Sequence, residues 1–134
     1  MAELRLVYKG DRKVEMVNQT SGCTIETHAP EAGKALASNT PIDLVAGALA
    51  ACTLSMLAAG VKVQGYDPTG ATAEVSYTMD ARHTRLETIR VVLHLEALQL
   101  NAKQRVAVER IARSCPVYQS LREDLEKKFD FIYE

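Results

Sequence analysis

The sequence contains no tryptophan and few aromatic residues, only five tyrosines and two phenylalanines. Its core must therefore be built from alanine, valine, leucine and isoleucine. A core so poor in large side chains often buries a further face against a second copy of the chain, and we therefore expect a homodimer. The length of 134 residues suits one domain, which we expect to span residues 1–134.

The sequence also lacks a strong charge of either sign. The formal net charge is −1, and lysine and arginine are spread along the chain without a basic run. This distribution argues against nucleic acid as a partner. Residues 1–5 show no basic segment followed by an apolar stretch, so no secretory signal is expected and the predicted location is the cytoplasm.

Several motifs that carry cofactor or metal chemistry are missing. The three cysteines form no CxxC pair, and no two of the three histidines have the spacing of metal ligands. There is no glycine-rich phosphate loop and no nucleophile elbow. We therefore expect neither a metal nor a cofactor. An odd number of cysteines also argues against a disulfide framework, so these thiols are more readily explained as reactive or buried.

Alternation of apolar and polar residues predicts strands near both ends of the chain. Residues 4–8, 13–16 and 23–27 form a predicted meander, and residues 71–80 and 89–95 form a predicted hairpin with one buried face. A helix is predicted from Asn101, a second short helix from Pro116 to about Glu126, and a final strand at residues 129–133. This order of elements predicts an α+β domain.

Residues 42–63 form the strongest helix signal. Thr40, Pro41 and Asp43 supply a capping hydroxyl, a proline in the first turn and an acid that suits the helix dipole. The segment would extend about 33 Å, which is enough to cross a membrane. Polar residues at Thr53 and Ser55 and the lack of aromatic anchors argue against a span. We expect instead the buried axis of a domain or of a dimer.

The cysteines differ in what their positions suggest. Cys115 precedes Pro116 at a helix start, where unpaired backbone N–H groups favour a thiolate; the alternative is that it only caps or packs. Cys52 lies mid-helix, where an inert buried thiol is the simpler interpretation. Cys23 is expected to be a half-buried strand residue.

Two segments together resemble the OsmC/Ohr family. Residues 41–52, PIDLVAGALAAC, are similar to the long central helix of that family, in which the reactive cysteine follows a proline by eleven residues. Residues 114–121, SCPVYQSL, are similar to its second-cysteine motif. The resemblance covers nearly the whole chain from about Leu4.

The resemblance implies an intertwined homodimer, with long central helices wrapped by antiparallel β-sheets and the site at the dimer interface. Cys52 would be the peroxidatic thiolate, attacking an organic hydroperoxide or H2O2 to give a sulfenic acid. Cys115 would then form an intramolecular disulfide with it, and a dithiol reductant would restore both thiols. No cofactor is implied.

The sequence departs from the family pattern at two places. The family's peroxidases carry a glutamate one residue after the helix-opening proline, where this chain has Ile42, with Asp43 one place later. They also use an arginine from the N-terminal region to stabilise the thiolate, and Arg12 is the candidate here. These departures leave open a binding or redox-sensing module with weak or no peroxidase activity, or a structural dimer with inert thiols.

Overall fold

The computed structural model describes residues 3–134, which form two compact units. The first unit extends to Val45, and the second runs from Ala46 to Glu134. Met1 and Ala2, which belong to the segment in which no signal was expected, lie outside the described residues.

The first unit contains an antiparallel sheet of three strands, in the order β1-β2-β3. These are β1 (Leu4–Gly10), β2 (Lys13–Asn18) and β3 (Thr24–His28), so the predicted meander is confirmed. Asp11 and Arg12 make the turn between β1 and β2, both with positive φ.

Cys23 differs from the sequence-based expectation. It precedes β3 and is exposed, so its prediction as a half-buried strand residue was wrong. His28 ends β3 and is buried. Its Nδ1 accepts the N–H of Ala37 at 2.9 Å, which places the imidazole against the following loop.

The long helix α1 (Pro41–Val63) begins as predicted. Thr40 Oγ1 accepts the N–H of Asp43 at 3.0 Å, and Asp43 Oδ2 accepts the N–H of Thr40 at 2.8 Å, which is a reciprocal cap. By length and composition this helix would also suit a membrane span, with a mean hydropathy of 2.0. It nevertheless supplies six buried residues, each of which has another of the set three or four positions away: Ala46, Leu49, Ala50, Thr53, Leu57 and Val61. This spacing is that of one helix face packed in a protein core.

The second unit contains a sheet in the order β4-β5-β6. Strands β4 (Thr72–Met79) and β5 (Leu86–His94) form the predicted hairpin, and β6 (Glu126–Ile132) pairs with β5 in parallel. The sheet is therefore mixed, and the expectation of antiparallel sheets was wrong for this pairing. Ile89, Val91 and Leu93 alternate along β5 with no exposed surface, so the predicted buried face is confirmed.

Two helices connect β5 to β6. The first, α2 (Ala102–Ala112), opens with the capping box predicted at Asn101, whose side chain accepts the N–H of Gln104. This helix passes close to α1, since a Cβ added at Gly60 would lie 2.7 Å from Ile111 Cδ1. The described residues thus form an α+β fold, as the order of elements predicted.

The second connecting helix, α3 (Pro116–Ser120), is shorter than predicted. The expected end at Glu126 was wrong, because Leu121 is extended and the chain then turns back towards β6. Side chains stabilise that turn: Arg122 donates to the carbonyl of Leu86 and to Asp124, and Lys127 Nζ donates to the carbonyls of Arg122 and Leu125.

Candidate functional site

Cys115 is the N-cap residue of α3, as its position before Pro116 predicted. Its backbone is extended, with φ −66° and ψ 146°, and its side chain is fully buried. Its Sγ accepts the N–H of Tyr118 at 3.3 Å. Because Pro116 has no N–H, the first amides that this turn can offer are those of Val117 and Tyr118.

Cys52 is half-buried on α1, and its thiol lies close enough to the Cys115 thiol for the two to interact electrostatically. The backbone N–H of Val117 also acts on the Cys52 sulfur. Two consecutive amides of α3 therefore act on the pair: that of Tyr118 is hydrogen-bonded to Cys115, and that of Val117 favours the charged form of Cys52. Both side chains are free thiols. The fold thus brings together two cysteines that are far apart in sequence.

The surroundings of Cys52 raise the pKa of its thiol above the ordinary value. Burial is the largest cause, because it disfavours the charged form. The amide of Val117 acts in the opposite direction, while the hydrogen bond to Cys115 and negative charge on Cys115 raise the pKa further. Within one chain, these contacts do not favour the thiolate at Cys52.

Thr53 is a residue of this site that the sequence did not reveal. It is fully buried, its hydroxyl donates to the carbonyl of Leu49 at 2.9 Å, and its Oγ1 lies 3.9 Å from Cys115 Sγ. In the sequence Thr53 was only a polar interruption of an apolar helix. The signal that was available is its position directly after Cys52, on the face of α1 that turns out to be buried.

Aromatic side chains hold α3 against β6. The ring of Tyr118 stacks on Phe129 with centroids 5.8 Å apart, and Lys127 Nζ lies 5.0 Å from the centroid of the Tyr118 ring. Phe129 also packs against Phe131 at a tilted angle, and Phe131 stacks on Tyr133. Because Tyr118 also donates its amide to Cys115, this packing fixes the turn beside the cysteine pair.

The other two predicted site residues belong to the first unit. Asp43 is half-buried and shares the reciprocal cap with Thr40. Arg12 lies at the β1–β2 turn and is exposed; its N–H donates to Tyr8 Oη at 3.2 Å, and its carbonyl accepts the N–H of Ala29. Their roles at the cysteines remain predictions.

No group of three histidine, cysteine, aspartate or glutamate side chains within residues 3–134 is arranged to hold a metal ion. One cluster of titratable side chains joins His94 with Glu74 and Glu96. Its ring nitrogens each lie 3.2 Å from one carboxylate oxygen, Nε2 from Glu74 and Nδ1 from Glu96. The cysteine pair is therefore the candidate functional site.

An α+β fold in which a mid-helix cysteine meets a second cysteine that caps a short helix defines a class of proteins with paired thiols. A sequence model described as OsmC-like protein matches residues 33–128, which is more than half of the chain. The chain belongs to the OsmC-like family, as the two cysteine segments indicated.

Solved structures agree with this assignment. A protein from Psychrobacter arcticus 273-4, named for osmotic stress induction and a detoxification response, superposes with a TM-score of 0.90 at 26% identity, covering 98% of this chain and 96% of that one. The organic hydroperoxide resistance protein OsmC of Legionella pneumophila gives a TM-score of 0.71 at 19% identity, covering 98% and 96%. OhrB of Bacillus subtilis gives 0.65 at 18%, covering 98% and 97%. No curated protein sequence matches the chain.

Proposed function

We propose that this protein is a thiol-dependent peroxidase that reduces organic hydroperoxides or H2O2 with Cys52 and Cys115. The observation that carries the proposal is the proximity of the two thiols at the first turn of α3, where the amide of Tyr118 is hydrogen-bonded to Cys115. Two thiols in contact can form a disulfide with little movement of the backbone. Relatives of the same fold are named organic hydroperoxide resistance proteins, which supports this choice of substrate.

The proposed cycle has three steps. The thiolate of Cys52 attacks the outer peroxide oxygen, the O–O bond breaks, and an alcohol or water leaves after taking up a proton while Cys52 becomes a sulfenic acid. The Cys115 sulfur then attacks Cys52, forming the disulfide and releasing the sulfenic hydroxyl with the Cys115 proton as water. A dithiol reductant finally donates two electrons and two protons and becomes a disulfide itself.

The first step requires a thiolate, which the contacts within one chain do not favour at Cys52. We propose that Arg12 supplies the missing positive charge in the assembled protein, with Asp43 orienting its guanidinium. A nearby cation lowers a thiol pKa, and a carboxylate can hold a guanidinium through paired hydrogen bonds. Ile42 cannot take this orienting role because its side chain is apolar.

We propose that the assembled protein is a homodimer built on α1. Several apolar side chains of this helix are exposed, among them Val45, Met56 and Val63. Small residues at Gly47, Ala48 and Ala51 on the exposed surface would allow a second helix to approach closely. We expect the protein in the cytoplasm, where dithiol reductants keep cysteines reduced.

The decisive experiment measures peroxide consumption by the reduced protein with a dithiol. Cys52→Ser is expected to lower kcat/KM for cumene hydroperoxide by at least about a hundredfold, since the nucleophile is removed. Cys115→Ser is expected to keep the first oxidation but to accumulate the sulfenic acid, which a trapping reagent and mass spectrometry detect. Cys23→Ser is the matched control and should keep full turnover, because Cys23 is exposed and belongs to the first unit, whereas Cys52 and Cys115 belong to the second. Equal turnover in Cys52→Ser and the wild type would contradict the proposal.

The alternative is an OsmC-like binding or redox-sensing module with weak or no peroxidase activity. Two observations favour it: the raised pKa of Cys52 and the apolar Ile42 at the position of the family's glutamate. This function predicts no peroxide turnover by the reduced wild type. It also predicts that an apolar ligand binds with unchanged affinity when Cys52 and Cys115 are both replaced by serine.

A further inference from the structure

His28 is a buried histidine that the proposed chemistry does not use. It ends β3 with only 4% of its surface exposed, and its Nδ1 accepts the N–H of Ala37 at 2.9 Å. Because an N–H can only donate, Nδ1 presents a lone pair in this contact. The bond joins residues nine positions apart and therefore closes most of the loop between β3 and α1, residues 29–40.

Backbone contacts of the same strand end hold the last part of that loop. The N–H of His28 donates to the carbonyl of Asn39 at 2.8 Å, and Thr27 forms a parallel bridge with Asn39. Thr40 follows directly and shares the reciprocal cap of α1 with Asp43. The position of the Asp43 carboxylate therefore depends on how the loop is attached to β3.

The turn that carries Arg12 is attached to the same strand end. The N–H of Ala29 donates to the carbonyl of Arg12 at 3.1 Å. In the sheet, Lys13 pairs with His28. Arg12 has a φ of 58°, in the left-handed region, which a residue with a side chain seldom adopts unless its surroundings hold it there. The hydrogen bond from Ala29 is part of that support.

We propose that His28 is a positioning residue: its imidazole holds the loop between β3 and α1, and through that loop it sets the positions of Arg12 and Asp43. All of these residues belong to the first unit. The effect on catalysis rests on the proposed peroxidase function, in which the guanidinium and the carboxylate act on Cys52. The attachment of the loop rests on the hydrogen bonds of the first unit alone, and it is tested separately.

Amide hydrogen exchange followed by NMR tests the attachment without peroxide. His28→Leu keeps a side chain of similar size but removes the acceptor, so exchange at Ala37 and at Ala29 should become about three- to tenfold faster, the effect of one hydrogen bond. His28→Asn is the matched control, because its side-chain oxygen can replace Nδ1 and should restore slow exchange. If the imidazole only filled space, leucine would be the better substitute. Faster exchange in His28→Asn than in His28→Leu, or an effect confined to Ala37, would overturn the inference.

Peroxide turnover tests the effect on catalysis. His28→Leu should lower kcat/KM for cumene hydroperoxide about tenfold, and His28→Asn should restore most of it. In an Arg12→Ala background, His28→Leu should cause no further loss, because a residue that acts through Arg12 has no effect once the guanidinium is removed. An equal loss in both backgrounds would overturn the positioning role.

The two measurements fail independently. If the wild type does not consume peroxide, the proposed function is removed, and exchange at Ala29 and Ala37 still decides whether His28 holds the loop. If the wild type is active but exchange at Ala29 is unchanged in His28→Leu, the inference is overturned and the proposed function stands. If His28→Leu does not fold, His28→Val removes the same acceptor and is compared with His28→Asn in the same way.

Discussion

The two sheets of this chain are built on similar sequence patterns but are buried very differently. In the second sheet, Ile89, Val91 and Leu93 have no exposed surface. In the first, Leu4, Leu6 and Tyr8 of β1 are each more than half exposed, at 54%, 58% and 67%. Both sheets have three hydrogen-bonded strands, so the number of paired strands does not explain the difference. The difference lies in what covers the side chains.

The comparison shows that alternation in a sequence predicts that a strand has an apolar face but not what will cover that face. The second sheet shares its unit with core residues of α1 and α2, among them Leu57 and Val108. The exposed apolar side chains of the first sheet are typical of a surface that another molecule covers. We attribute that cover to the second copy of the proposed homodimer.

The largest effect is expected from opening a cavity under the second sheet. Leu93→Ala should lower the free energy of unfolding by about 2–5 kcal/mol, because the side chain is fully buried and the site cannot collapse completely. Denaturant unfolding measures the loss, and it should be the same at every protein concentration. Val92→Ala, on the opposite face of β5 and half-buried, is the matched control and should cost less.

A smaller effect is expected from a charge placed on the first sheet. Leu6→Lys should weaken the proposed dimer about tenfold or more, since an ammonium group would have to be buried in an apolar contact. Analytical ultracentrifugation over a range of concentrations measures the dissociation. Thr78→Lys adds the same charge at an exposed position of β4 and should leave the dimer intact. Equal dissociation constants for the two variants would show that β1 is not covered by a second copy.

Much of the fold could be predicted because its signals are local. The caps at Thr40 and Asn101 join groups three residues apart, so the sequence shows both partners of each bond. The extent of α3 could not be predicted in this way. It ends at Ser120, and the turn that follows is held by a hydrogen bond from Arg122 to the carbonyl of Leu86 on β5, a partner 36 residues away.

The features of the candidate site likewise fall into those that the sequence revealed and those that depend on the fold. The family motifs identified Cys52 and Cys115, and the start of α3 at Pro116 was visible in the sequence. The contact of Thr53 with Cys115 joins residues 62 positions apart and depends on which face of α1 is buried. The raised pKa of Cys52 likewise depends on burial and on the neighbouring Cys115, which together outweigh the opposing effect of the Val117 amide and which no local pattern reveals.

The smallest effect is expected from the histidine that ends a strand of the second sheet. The first sheet also has a histidine at the end of a strand, but in different surroundings. His28 of the first sheet accepts a backbone amide, whereas His94 of the second lies between Glu74 and Glu96. The hydrogen bond to Glu96 is the main cause that raises the pKa of His94 above its ordinary value.

Because the raised pKa belongs to the folded state, the stabilisation by His94 is complete below the unfolded value of about 6.5 and is lost as the pH rises through the folded-state pKa. Unfolding of wild type and His94→Gln across this range should therefore show a difference that is largest at low pH and shrinks as the pH rises. Added salt should reduce it, since the carboxylates are partly exposed. A difference that is constant with pH would mean that His94 acts through packing, as the buried residues of its sheet do.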